Sequence, residues 1–215
     1  MDIYTIKGSK VIFTGKNGDS SDLRYVKKYL KVGETYTVND IIVHDFSSTV
    51  TFEEIPNRGF NTVHFKNIEI ELTDWDKRFL DLAEYISNWS KDRSTKVGCV
   101  VVDSDKRIVS TGYNGFIRNS EDNLDYKHER PAKYFFTVHS EVNAIYYAAK
   151  TGVKLDDCTI YTTLFPCAEC CKGIIQSGIN KVVTKEPDWN NKTWGESFNY
   201  SKIMFEESNI EVIYR

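Results

Sequence analysis

His139-Ser140-Glu141 and, further along, Pro166-Cys167-Ala168-Glu169-Cys170 place one imidazole, one carboxylate and two thiols at short spacings. Those are the residue types a hydrolytic zinc site needs. Two thiolates cancel the charge of Zn²⁺, a neutral His139 completes three protein ligands, and the fourth tetrahedral position is left to water. Such a site lowers the pKa of its water to about 7, whereas a fourth side chain would close it into a structural one. Glu141, not needed as a ligand, is then the candidate catalytic proton carrier.

The spacings constrain the backbone. Residues two apart inside a helix point to nearly opposite sides, so His139 and Glu141 can face one ion only if they bracket a helix start. Phe135-Phe136-Thr137-Val138 reads as strand, and 141–150 reads as a helix stopped by Gly152. Cys167 and Cys170, three apart, share one face of a helical turn with Pro166 at its opening position. A helix N-terminus favours deprotonated sulfur before any metal arrives. Alone, the two cysteines would suit a structural zinc knuckle; His139 and Glu141 in this order favour a catalytic site. Cys99, Cys158 and Cys171 read as small core residues.

The elements that must hold these groups follow an alternating pattern. Thr73-Asp74 opens a helix in which Trp75, Phe79, Leu82, Ile86 and Trp89 form an apolar stripe, expected to be core. Strand patterns at 97–102, 108–111, 159–163 and 182–183 alternate with the two helices of the motif, and a polar loop spans 118–127. A helix at 196–208 and an edge strand at 210–214 close the chain, which indicates α/β layering. Residues 1–70 differ. Val11-Ile12-Phe13, Tyr36-Thr37-Val38, Ile41-Ile42-Val43 and Val50-Thr51-Phe52 are short β runs, with a turn at Gly15-Lys16-Asn17-Gly18 and a short helix within 21–30. The expected organisation is a small SH3-like, β-barrel-like domain at 1–70 followed by an α/β domain at 71–215.

Composition narrows the partners. A net charge of -3 gives no basic footprint for polynucleotide phosphates, so nucleic acid is not the expected partner. The five cysteines are an odd number with two adjacent, and the opening heptapeptide lacks the apolar core of a signal peptide, so a cytoplasmic setting is expected. No apolar run approaches the roughly 18–20 residues that cross a bilayer. His44, His64 and His128 read as surface or hydrogen-bonded structural residues, and Trp189 and Trp194 as packing residues, with a cap over the pocket or a subunit contact as the alternative.

From Trp75 to Arg215 the chain resembles the deoxycytidylate (dCMP) deaminase branch of the zinc-dependent cytidine deaminase superfamily, including phage and bacterial dCMP deaminases. The likeness is carried by Trp89-Ser90-Lys91-Asp92, Thr95-Lys96-Val97-Gly98, Gly112-Tyr113-Asn114-Gly115-Phe116, the His139 and Cys167 blocks, and Gln176-Ser177-Gly178-Ile179. It implies an α/β/α sandwich around a mixed five-stranded sheet, zinc on His139, Cys167 and Cys170, and proton transfer by Glu141. It also implies that Asn114 bonds the sugar and that the backbone at Ser140 helps to hold the pyrimidine. The activity implied is hydrolysis of dCMP to dUMP and ammonia, with free cytidine, a modified dCMP or a polynucleotide base as alternative substrates. For a monophosphate, Lys96 and Lys133 are the first candidates for the phosphate, ahead of Arg93 and Arg118. The expected partner is a small-molecule nucleotide, and the expected assembly a homo-oligomer, dimer or hexamer. The chain departs from the family at Ser140, usually Ala, at Arg93, usually Pro, and at Ile117-Arg118-Asn119, usually Pro-Arg-Gly. Residues 1–70 lie outside that pattern, and an assembly or partner-binding role is expected for them.

Overall fold

The computed structural model describes residues 1, 5, 7–68 and 72–215. Most of the opening heptapeptide and the segment 69–71 around the expected domain boundary lie outside the described residues. The chain separates into two compact units, Met1–Ile70 and Glu71–Arg215.

In the first unit, β1 (Lys10–Phe13), α1 (Ser20–Val26), β2 (Thr35–Val43), β3 (Ser48–Phe52), β4 (Ile55–Asn61) and β5 (Phe65–Asn67) follow in sequence. The strands form one antiparallel sheet in the order β4-β3-β2-β1-β5. This corrects the SH3-like barrel: among the described residues β4 and β5 stand at opposite edges and do not pair, so the sheet is open. The runs at Tyr36 and Ile41 are one strand, because a register shift between Val38 and Asp40 breaks the alternation without ending β2. Val11, Phe13, Val38, Val50, Phe52 and Phe60 build its core with Val26 of α1. His64 is fully buried, with Nε2 3.1 Å from the Asp22 carboxylate.

The second unit begins with α2 (Asp74–Ser87), whose N-cap Thr73 and Asp76 form a reciprocal capping box. It continues through β6 (Gly98–Val102), β7 (Ile108–Tyr113), β8 (Gly115–Phe116), α3 (Asp125–His128), α4 (Ala132–Phe136), β9 (Thr137–Val138) and α5 (Ser140–Thr151). It ends with β10 (Thr159–Thr162), α6 (Ala168–Gln176), β11 (Lys181–Thr184), α7 (Gly195–Glu207) and β12 (Glu211–Tyr214). The main sheet runs β12-β11-β10-β6-β7, parallel among β10, β11 and β12 and antiparallel from β10 through β6 to β7. It is the mixed five-stranded sheet the resemblance implies.

Both faces of this sheet are covered, and the strand period divides the side chains between them. Val100, Val102, Tyr161, Val183 and Ile213 pack with Phe79, Ala83 and Ile86 of α2. The intervening Cys99, Val101, Ile160 and Val182 pack with Ala144 of α5, Ile174 of α6 and Phe205 of α7. The α2 stripe is core only in its middle: Trp75 and Trp89, at its ends, are 45% and 54% exposed. The string 135–138 is not one strand, since α4 runs to Phe136 and only Thr137–Val138 pairs, with β8.

Candidate active site

Two helix starts meet on the α5–α6 side of the sheet. His139 is the N-cap of α5 and Cys167 the N-cap of α6, and neither side chain makes a capping hydrogen bond. N-cap positions ordinarily carry Ser, Thr, Asp or Asn, whose oxygen satisfies a first-turn N–H. Here both side chains turn to one another instead. His139 Nδ1 lies 3.4 Å from Cys167 Sγ and 3.4 Å from Cys170 Sγ. Pro166 precedes the N-cap and so stands two residues before the opening helical position, Ala168, instead of occupying it as expected.

The donor set fits zinc. The three ligand atoms lie within 4.8 Å of one another, and metal bonds of about 2.0–2.3 Å at tetrahedral angles separate neighbouring donors by about 3.5 Å. Charge agrees with distance. The adjacent Cys170 thiol, then the His139 imidazole, hold Cys167 down at about 4 against its burial, whereas Cys167 and burial push Cys170 well up. The two sulfurs therefore share one proton when no cation is near, and a dication displaces it. His139 is raised, chiefly by its contact with Cys167.

Glu141, in the first turn of α5, is 4% exposed. Burial pushes its carboxyl up, and Ser140 Oγ donates to its Oε2 at 2.7 Å. Ser140 itself is fully buried, and its carbonyl accepts from the Cys99 thiol at 3.2 Å. The position of α5 depends on Gly112: a Cβ there would come 2.1 Å from the Ser140 carbonyl oxygen. Gly98 plays the same part under α2, 2.2 Å from the Ala83 carbonyl.

One pocket contains His139, Ser140, Glu141 and Cys167 together with Asn114 and Lys133. Asn114 is 5% exposed and its amide is already engaged. Oδ1 accepts from Val97 N at 2.8 Å, and Nδ2 donates to Thr95 O at 2.9 Å and Asp92 Oδ2 at 3.2 Å. It thus ties the 92–97 loop to β7 as well as lining the pocket. Lys133 Nζ pairs with Asp92 at 2.7 Å and reaches Ser94 Oγ at 2.5 Å. Lys96 is exposed and lines neither this pocket nor the second one next to it. Arg93 pairs with Asp125 at 2.9 Å, and Arg118 and His128 line the second pocket.

Residues 73–186 match the family described as the cytidine and deoxycytidylate deaminase zinc-binding region. The chain belongs to that family. The deaminase domain is 41% identical over 145 residues to an "Uncharacterized deaminase in luxG 3'region" of Aliivibrio fischeri, covering 66% of this chain and 95% of that protein. It is 46% identical over 109 residues to a "Probable deoxycytidylate deaminase" of Caenorhabditis elegans, covering 49% and 54% of the two chains. Among solved structures, the dCMP deaminase of cyanophage S-TIM5 is similar with a TM-score of 0.53 and 25% identity, over 67% of this chain and 100% of that one. Residues 9–82 match a separate family, described as bacteriophage T4 protein Y07B.

Arg130, Tyr134, Leu164 and Phe198 also line this pocket without a role assigned from sequence, and Asp92, from the Trp89-Ser90-Lys91-Asp92 block, and Trp194 join them. Trp194 is not only a packing residue, since its ring lies 5.9 Å from that of His139 and 5.9 Å from that of Tyr134. Arg130 and Lys133, two cations three residues apart around Pro131, were the available signal, but the segment reads as undefined loop.

Proposed function

We propose that this chain hydrolyses dCMP to dUMP and ammonia. The observation that carries the reading is a three-donor cluster, His139, Cys167 and Cys170, of which His139 and Cys167 line one pocket together with the buried carboxyl of Glu141, which is not among the three donors. When bound, zinc supplies a water activated for nucleophilic attack near neutral pH. Glu141 carries two protons in turn: the first, lost by the attacking water, to N3 of the cytosine, and the second, lost by the hydroxyl formed at C4 as it becomes the carbonyl, to the amino group, which leaves as ammonia. Burial raises the Glu141 carboxyl above the ordinary carboxylate range, which suits it to proton exchange, and the Ser140 hydroxyl orients Oε2. Trp194 and Phe198 wall the pocket around His139 and exclude bulk water from the reacting end. The names of the C. elegans relative and of the phage structure support a deoxycytidine monophosphate as substrate.

The catalytic unit is then 71–215, and 1–70 serves assembly or partner binding. Exposed Tyr146 and Tyr147 on α5, at 62% and 48%, support self-association as a dimer or hexamer. A reducing, cytoplasmic compartment is supported by five unpaired cysteines, all buried. No helix among the described residues is long and apolar enough to cross a membrane. Ammonia release from dCMP, deoxycytidine, cytidine and single-stranded DNA, beside zinc analysis, tests the reading. Stoichiometric zinc with no release from any of them would remove it.

A further inference from the structure

Two cations line the pocket, and they differ in what answers their charge. The ammonium of Lys133 is committed: Asp92 accepts from it at 2.7 and 2.8 Å and Ser94 Oγ at 2.5 Å. Its side chain is 11% exposed and that of Asp92 5%, so the pair is a neutral, buried unit of the wall. Arg130 has no carboxylate within ion-pair distance among the described residues. Its Nε donates to Tyr134 Oη at 2.7 Å, which restrains the guanidinium, and among the described residues its terminal nitrogens have no hydrogen-bond acceptor. Arg130 is exposed, whereas Glu141 and Cys167 at the reacting end are 4% and 7% exposed. The pocket therefore runs from a buried chemical end to an outer end carrying one uncompensated positive charge.

We propose that Arg130 is the specificity-determining residue of this pocket, holding the 5′-phosphate of the nucleotide while the base lies at the zinc end. The proposal rests on the dCMP reading above and names the group that makes the substrate a nucleotide instead of a nucleoside. A guanidinium presents two parallel N–H donors that match two phosphate oxygens, and one already held at Nε by Tyr134 loses less freedom on binding. Lys133 is excluded from this role by Asp92 and Lys96 by its place outside the pocket, which reverses the ranking made from sequence.

The test compares the zinc-loaded wild type with Arg130→Gln, Arg130→Lys and, as a control outside the pocket, Lys96→Gln. Turnover of dCMP and of deoxycytidine is measured, with calorimetric binding of dUMP and of deoxyuridine. Loss of charge-assisted hydrogen bonds of this kind is expected to raise KM for dCMP by about 10–100-fold in Arg130→Gln, with kcat held within a few-fold. Deoxycytidine turnover is unchanged, dUMP binding falls to the level of deoxyuridine, Arg130→Lys recovers part of the loss, and Lys96→Gln behaves as wild type. A wild type that turns over dCMP while Arg130→Gln binds and converts it equally well overturns the role of Arg130 and leaves the deaminase reading intact. Equal losses on dCMP and deoxycytidine also overturn it, since they mark a structural role. A zinc-loaded wild type silent on every cytosine substrate defeats the deaminase reading and this proposal together.

Discussion

Gly112 and Ser140 are in backbone contact across β7 and α5: a methyl group built on Gly112 would stand 2.1 Å from the Ser140 carbonyl oxygen and 2.8 Å from Ala144 N. The neighbours are backbone and cannot swing aside. Gly112→Ala is therefore expected to move the start of α5, destabilising the fold by roughly 1–3 kcal/mol or more. Because His139 and Glu141 ride on that helix start, zinc content should fall with it. Thermal unfolding beside metal analysis checks this, and a variant with wild-type midpoint and full zinc would contradict the contact.

Proton transfer and metal binding separate by mutation. Glu141→Gln should keep stoichiometric zinc and lose turnover by about 10²–10⁴-fold. Cys167→Ala should lose the metal as well as activity. Metal analysis with an ammonia assay distinguishes them; an active Glu141→Gln enzyme would refute the proton-carrier role.

Chelation should expose the thiol chemistry selectively. With the metal removed, Cys167, held at about 4 by Cys170 and His139, is thiolate at neutral pH and reacts first with an aromatic disulfide reagent. Cys99, Cys158 and Cys171, at 0%, 2% and 0% exposure with thiols raised by burial, stay protected until unfolding. Mass mapping of the labelled sites reads the order, and early labelling at Cys171 would be the wrong outcome.

Acid should weaken the deaminase domain through Asp92 and Asp76. Burial alone would raise each carboxyl, but Lys133 with the Ser94 and Thr95 N–H groups outweighs it at Asp92, and Thr73 with Tyr161 Oη outweighs it at Asp76. Both folded-state values lie below the unfolded one of about 3.9, so their stabilisation is present above that pH and is lost as pH falls through the folded values. Stability should drop steeply below about pH 4. Asp92→Asn removes its share of that slope and, by leaving the buried Lys133 without its counter-charge, costs about 3–5 kcal/mol at neutral pH. Denaturant unfolding from pH 7 to 3 measures both; an unchanged slope in Asp92→Asn would exclude the pair as its source.

Local spacing by itself determined the chemistry of this protein. His139, Glu141, Cys167 and Cys170 are close in sequence to the helix starts that orient them, and the strand and helix periods of 71–215 are strong because both sheet faces are buried. Spacing could not tell which cation is spare. Lys133 and Asp92 are 41 residues apart, and only the fold brings them together, cancelling the charge of one and leaving Arg130 alone at the outer end. Nor could it close or open the first sheet, since strand runs carry a period of two whether their edges meet or not. Which edges pair, and which charges meet, are decided by contacts between distant segments, and these exist only once the chain has folded.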